Sequence, residues 1–317
     1  MSVMNIRRAT AAVALAGATA LALTLTGCSG TSASAKDGKL DVVASFYPLE
    51  YATEQIGGAH VHVTDLTPPG TEPHDLELAP RQVAAVHSAD LVVYLKGLQP
   101  TVDQAVAQGG PAHTAEVTSY APLEDHGTEV DGAAENHART ADGRAGDPHV
   151  WLDPERYAKI ARGIGDQLAK ADPAHAADYR AGADRFTARL GALDKEFRTG
   201  LTGCRAKTFV TSHAAFGYLA ESYGLDQIAI NGVDPESEPT PARMTEIQDQ
   251  AREHGVTTVF FESLVSPKLA RTIAGDLHLK TAVLDPLEGV KDPAKDDYFS
   301  VMRRNLANLR TALGCSR

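Results

Sequence analysis

The chain has 317 residues, 41 acidic side chains against 30 Lys and Arg, and a formal charge of −11 with 22% charged residues. That is enough chain for two ordinary domains. An acidic total with no Lys/Arg run excludes a nucleic-acid surface, which needs a clustered basic footprint. Beyond the N-terminal leader no apolar run approaches the roughly 20 residues of a membrane span, which excludes an integral channel or permease.

Residues 1–27 read as a secretory signal: Arg7 and Arg8 supply positive charge, Ala11 to Leu25 is apolar or small, and Leu25-Thr26-Gly27-Cys28 closes the segment. A membrane anchor would need a longer apolar run with a charged stop-transfer flank. Cleavage would leave 290 residues at a formal charge of −13, because the leader holds those two arginines and no acid. Leu-Thr-Gly-Cys has the form of a bacterial lipobox, so Cys28 is expected to carry an acyl anchor, followed by a Ser/Gly/Lys-rich tether over 28–38.

From residue 39 apolar runs and breakers alternate in a βα rhythm. Leu40 to Phe46 reads as a buried strand, Pro48 to Ile56 as a helix, and Val61 to Leu66 as a strand. Pro80 to His87 reads as a helix and Leu91 to Leu95 as a strand. His126 to Gly146 lacks periodicity and is rich in Gly, Ala, Asp and Glu, which predicts a long mobile loop with His126 and His137 as solvated residues. From Pro173, with Asp172 as cap, Tyr179, Phe186, Leu190, Leu193, Phe197 and Leu201 recur at helical steps. One amphipathic helix over 173–201 would run roughly 40 Å, long enough to lie along two lobes as a stiff spine.

The rhythm then returns. Strands are predicted at Thr208 to Thr211, Gln227 to Ile230, Val256 to Phe261 and Thr281 to Leu284. Helices are predicted at Ala214 to Tyr223, Pro241 to His254 with Thr240 as cap, Pro267 to Leu277 capped by Ser266, and Tyr298 to Leu313. The fold class is α/β: two lobes with parallel-type sheets, 39–172 and 202–317, joined by one long rigid helix. After the lipobox only Cys204 and Cys315 remain, and an even count in an oxidising compartment favours a disulfide between them over a pair of thiolate ligands lacking a CxxC neighbour.

Three of the twelve histidines stand in turns of Pro, Gly or small residues after strand-like runs. His74 lies in Thr67-Pro-Pro-Gly-Thr-Glu-Pro-His, His149 in Gly146-Asp-Pro-His-Val-Trp, and His213 in Phe209-Val-Thr-Ser-His. Asp285 ends a strand in the same manner. Ligands bind at the carboxyl ends of strands in open α/β sheets, and two candidates come from each half, so a site built from all four would lie between the lobes. Three neutral imidazoles and one carboxylate suit tetrahedral Zn²⁺, whereas manganese prefers more oxygen. The spacings are no short-range metal signature, and for any single histidine a hydrogen-bonded turn residue is the commoner outcome. Asp285-Pro286 also reads as a helix cap of the kind at Asp153-Pro154. No HExxH, GxSxG or Walker A loop is present.

Seven segments in order give the chain a resemblance to a known family. They are Ser45-Phe-Tyr-Pro-Leu, Pro69-Gly-Thr-Glu-Pro-His-Asp, Ala89-Asp-Leu-Val-Val, Asp147-Pro-His-Val-Trp-Leu-Asp-Pro, Ser212-His-Ala-Ala-Phe, Pro235-Glu-Ser-Glu-Pro-Thr-Pro and Leu284-Asp-Pro. The chain resembles the substrate-binding lipoproteins of bacterial zinc and manganese ABC uptake systems. The resemblance implies two α/β lobes on one rigid helix, with metal ligands at His74, His149, His213 and Asp285. A histidine at the third position is similar to the zinc branch, because the manganese branch usually has Glu there. Glu262 looks like a family position near the cleft, where it would orient a ligating imidazole; the residue also reads as a plain strand-end carboxylate.

The resemblance further implies a monomeric carrier, lipid-anchored outside the cytoplasm, that hands Zn²⁺ to a permease driven by a separate ATPase. Four protein ligands leave no open position for an activated water, so no enzyme activity is expected. The rival readings are a secreted zinc hydrolase with Glu262 as general base, a manganese-binding member of the same family, and an adhesin in which the metal is structural.

Overall fold

A computed structural model describes residues 38–126 and 146–316. The leader, Cys28, most of the tether, His137 and the body of the predicted mobile loop lie outside the described residues.

In the first lobe, short apolar runs build four parallel strands: β1 (Leu40–Ala44), β2 (Val61–Asp65), β3 (Leu91–Tyr94) and β4 (His113–Glu116), in the order β2-β1-β3-β4. The crossovers carry α1 (Tyr47–Gly57), α2 (Pro80–Ser88) and α3 (Pro100–Gly109), each with proline at its first or second position. A proline there gives up an amide that has no helical partner anyway. The pair α3 and β4 is absent from the sequence expectation. In β4 only Ala115 is fully buried, so this edge strand lacks the apolar run that marked the others.

The second lobe repeats the plan. Strands β5 (Thr208–Thr211), β6 (Asp226–Ala229), β7 (Thr258–Phe261) and β8 (Lys280–Val283) are parallel in the order β6-β5-β7-β8. Helices α6 (Gly217–Tyr223), α7 (Pro241–Glu253), α8 (Lys268–Asp276) and α9 (Tyr298–Leu313) surround them. The Thr240 hydroxyl accepts from the Arg243 amide at 3.2 Å, the expected cap of α7. Helix α6 starts three residues later than its apolar pattern suggests. Ala214 and Ala215 spend their amides on the carbonyls of Gly232 and His213, and this turn sets the direction of His213.

In the chain the two sheets are joined by α4 (Pro154–Ala171), capped by Asp153, and α5 (Ala176–Gly200). At 1.5 Å per residue the 25 residues of α5 span about 37 Å. Residues 173–175, expected as its first turn, form a separate 3-10 turn, because Asp172 turns its Oδ2 to the His175 ring and the Tyr179 hydroxyl. Helix α5 packs against α1 and α4 of the first lobe and α9 of the second. Tyr179, Phe186, Leu190, Leu193 and Phe197 are all buried, and Phe186 meets Tyr51, Tyr157 and Phe299 edge to face. One apolar cluster therefore runs through both lobes. The predicted Cys204–Cys315 disulfide is formed and ties the start of the second lobe to the end of α9.

Gly182 of α5 marks a point of close approach, since a Cβ there would fall 2.2 Å from the Ile56 carbonyl oxygen on α1. Alanine is about 1 kcal/mol better than glycine inside an isolated helix. Here the clash reverses that sign, and Gly182→Ala should destabilise the fold by about 1–3 kcal/mol through overpacking. A lowered denaturant midpoint with unchanged slope is the expected reading; a raised midpoint would show that the two helices can part freely.

Candidate metal centre

Because every strand runs parallel within its sheet, the carboxyl ends of each sheet share one edge. His74 lies in the loop after β2, His213 two residues beyond β5, Glu262 directly after β7, and Glu288 five residues beyond β8. His149 sits just before the one-turn 3-10 helix Val150–Leu152 that leads into α4.

His74, His149, His213 and Glu288 converge. Oε1 of Glu288 stands 2.8 Å from Nε2 of His149, 3.0 Å from Nε2 of His74 and 3.5 Å from Nε2 of His213. The Nε2 atoms of His149 and His213 are 3.3 Å apart. Zinc–ligand bonds of about 2.0–2.1 Å make the edges of a coordination tetrahedron about 3.3 Å long, so these separations fit around one such ion. His149, His213 and Glu288 are fully buried, and the His74 side chain is 11% exposed.

The outer nitrogens fix the tautomers. Nδ1–H of His149 donates to Asp147 Oδ1 at 2.7 Å, and Nδ1–H of His213 donates to Glu262 Oε1 at 2.5 Å. The Ser212 hydroxyl also donates to Glu262 Oε1. Ionised carboxylates only accept, so each ring keeps its proton on Nδ1 and turns a lone pair inward on Nε2. Two such lone pairs and a carboxylate facing one another need a cation or protons among them. Without a metal, protons serve. Burial disfavours the charged form of both rings, but Asp147 for His149, Glu262 for His213 and Glu288 for both outweigh it and hold them above the ordinary histidine range. Burial likewise opposes ionisation of Glu288, yet His213, His149 and His74 hold it well below the usual carboxylate range. Oε2 of Glu288 is buried with no hydrogen-bond partner among the described residues, which leaves a second oxygen free to face an ion.

Asp285, expected from the sequence as the fourth ligand, is not in this cluster; Glu288, three residues further on, takes that place. The Asp285 carboxylate is already spent on its own turn: the Ser263 hydroxyl donates to Oδ2 and the Leu287 amide to Oδ1 at 2.9 Å. Asn305 clasps the same residue through its backbone amide and carbonyl, at 3.0 and 2.7 Å, and the Trp151 indole N–H holds the Pro286 carbonyl at 2.8 Å. Leu287 then adopts a left-handed φ of 58°, costly for a branched side chain, and this reversal carries Glu288 to the histidines. Asp285 builds the turn that delivers the carboxylate. A signal for Glu288 was present, since it is an acid between Leu287 and Val290, both buried, and a buried charge needs a partner.

The sequence reading also missed Asp147 and Glu72. The Oε1 of Glu72 accepts the His74 amide at 3.2 Å. Burial, then the nearby Glu288 charge, pushes the Glu72 carboxyl up to about 8. His126, expected in solvent, is instead a half-buried ring whose Nδ1–H donates to Asp147 Oδ2 at 3.0 Å.

Two like α/β lobes on a long helix, with a polar cluster at the strand ends between them, define a two-lobed substrate-binding protein. More narrowly, the chain belongs to the zinc-uptake component A family: the family model described as "Zinc-uptake complex component A periplasmic" matches residues 42–312. It is 37% identical over 288 residues to the zinc-binding protein AdcA of Streptococcus pyogenes, an alignment covering 86% of this chain and 56% of that protein. The chain thus spans little more than half the length of that relative. With the high-affinity zinc uptake system protein ZnuA of Bacillus subtilis the identity is 35% over 290 residues, covering 89% of this chain and 90% of the relative. A Zn(II)-bound variant of AdcAII from Streptococcus pneumoniae superposes with a TM-score of 0.77 at 30% identity, over 87% of this chain and 99% of that one.

Proposed function

We propose that the protein is an extracytoplasmic carrier that captures one Zn²⁺ with His74, His149, His213 and Glu288 and delivers it to an ABC permease driven by a separate ATPase. The observation that carries this reading is the inward convergence of three imidazole Nε2 atoms on one buried carboxylate oxygen, with the outer nitrogens of His149 and His213 held by carboxylates. Three nitrogens and one carboxylate favour zinc over manganese, and they reduce the ion's net charge to about +1 in a buried site. A monomer tethered by acylated Cys28 would carry the ion to the membrane; among the described residues no helix is long and apolar enough to cross one.

The geometry favours binding over hydrolysis. Four protein donors fill a tetrahedral shell, and Glu262 lies on the far side of the His213 ring, bonded to Nδ1, away from any water on an ion at Nε2. The test is zinc titration of the purified chain against a chromophoric chelator, with elemental analysis. One zinc per chain is expected, together with a rise in unfolding temperature; zinc at a thousandfold over Kd adds about 4 kcal/mol of stability. A chain that takes up no zinc, or holds it equally well as the His149→Ala/His213→Ala double variant, would overturn the assignment.

A further inference from the structure

His126 does work that the cluster alone does not explain. Asp147 is a buried carboxylate with two separate duties: Oδ1 takes both the amide and the Nδ1–H of His149, at 2.9 and 2.7 Å, while Oδ2 takes the Nδ1–H of His126 at 3.0 Å. A carboxylate pinned at one oxygen can pivot about that bond; pinned at both it cannot, and the plane of the His149 ring is then set. The other ring nitrogen of His126 faces Glu221 Oε2 at 3.6 Å. Glu221 is held in turn by Arg156 Nη2 at 2.9 Å, and Arg156 also grips Glu124. A line of polar contacts therefore leads from a surface ion cluster, through His126 and Asp147, to His149.

The seat of His126 is built for it. The ring packs edge to face on Tyr218, centroid to centroid 4.3 Å. The Tyr218 hydroxyl accepts the Glu124 amide at 2.7 Å and donates to the Asp147 carbonyl at 2.8 Å, while the Asp147 amide donates to the Glu124 carbonyl at 2.7 Å. Beside it Gly217 opens α6, and a Cβ there would fall 2.5 Å from Cβ and Cγ of His126 and 2.7 Å from its Nδ1. Only glycine admits the ring at this distance.

Resting on the zinc-carrier reading, we infer that His126 is a positioning residue for the metal centre: it locks Asp147, and through Asp147 the ligand His149, from outside the cleft. What the metal centre needs from it is one N–H aimed at Asp147 Oδ2. His126→Asn can place an amide N–H where Nδ1 stands, whereas His126→Phe keeps a ring against Tyr218 but has no donor. Groups that orient a ligating histidine typically govern metal affinity by roughly 10–100-fold.

The experiment is chelator competition with zinc on the whole protein and both variants. Loss of about tenfold or more in His126→Phe, with His126→Asn within about threefold of the wild type, is expected. Equal affinities throughout, or a loss in Asn that Phe does not share, would overturn the inference and make the ring mere packing. Should the Phe variant not fold, ¹⁵N-histidine spectra of the zinc-loaded wild type decide: protons on Nδ1 of both His126 and His149 support the relay, and a His126 proton on Nε2 alone overturns it. A wild type that binds no zinc removes the carrier reading itself; a zinc-binding wild type with indifferent His126 variants removes only this one.

Discussion

Replacing Glu288 by Gln should weaken zinc binding at least about 100-fold, while Asp285→Asn should change it less than about tenfold. Removing a group that merely orients a ligand already costs roughly 10–100-fold, so loss of a direct, charged donor sets its floor at the top of that range. Glu288 Oε1 lies within 3.5 Å of all three imidazoles, and Gln keeps its shape while removing the negative charge they share. Asn at 285 can still accept the Leu287 amide and meet the Ser263 hydroxyl, so the turn survives and only a neighbouring charge is lost. Burial raises the Asp285 carboxyl, and the charges of Glu262 and Glu288 press the same way, so that charge is weakly held to begin with. Chelator competition on the two variants separates the roles. Equal losses, or the larger loss at Asp285, would return the ligand to the position first read from the sequence.

The strand-end pattern points to Asp285, and the turn beyond it brings Glu288 to the histidines instead. Strand ends in an open parallel sheet point to ligands, and Leu284-Asp-Pro stands at such an end. Strand periodicity carries no information about the left-handed Leu287, which throws the next residue across the cleft. A turn set by one side chain's hydrogen bonds is decided in three dimensions by Asn305 and Trp151, which are 20 and more than 100 residues away. The histidines were more legible: His74 and His149 stand in turns that Pro and Gly mark in the sequence, and His213 lies two residues beyond an apolar strand.

Much of the fold was readable on the same principle. Helix α9 has the predicted limits because apolar positions and the Gly314 terminus are local signals, and α7 begins at its Thr240 cap. The pair α3 and β4 escaped notice because an Ala/Gln-rich helix and a polar edge strand owe their form to neighbours. His126 misled by composition: it borders a Gly/Asp/Glu-rich stretch, yet a glycine 91 positions later leaves room for it beneath α6.

Zinc affinity should rise steeply with pH across the neutral range while the stability of the metal-free protein falls. In the metal-free state the folded pKa values of His149 and His213 lie above the unfolded value of about 6.5. Their contribution to stability is fully present below that pH and is lost as pH climbs through the raised folded values. Carboxyls that burial lifts act with the same sign, Glu72 and Asp65 to about 8 and Glu50 to about 7. Glu288 is depressed, so its share is present above about 4.5 and vanishes only as pH falls through its low folded value, outside this window. Zinc must displace the imidazole protons, and each one displaced makes apparent affinity about tenfold stronger per pH unit. Between pH 6 and 8 a release of one to two protons gives about a 100- to 10,000-fold gain. Calorimetry in buffers of differing ionisation enthalpy counts those protons directly, and thermal unfolding with and without zinc should show two curves diverging toward alkaline pH. A flat affinity profile with no proton released would mean that the inward nitrogens carry no protons in the metal-free protein, and that Glu288 faces neutral rings.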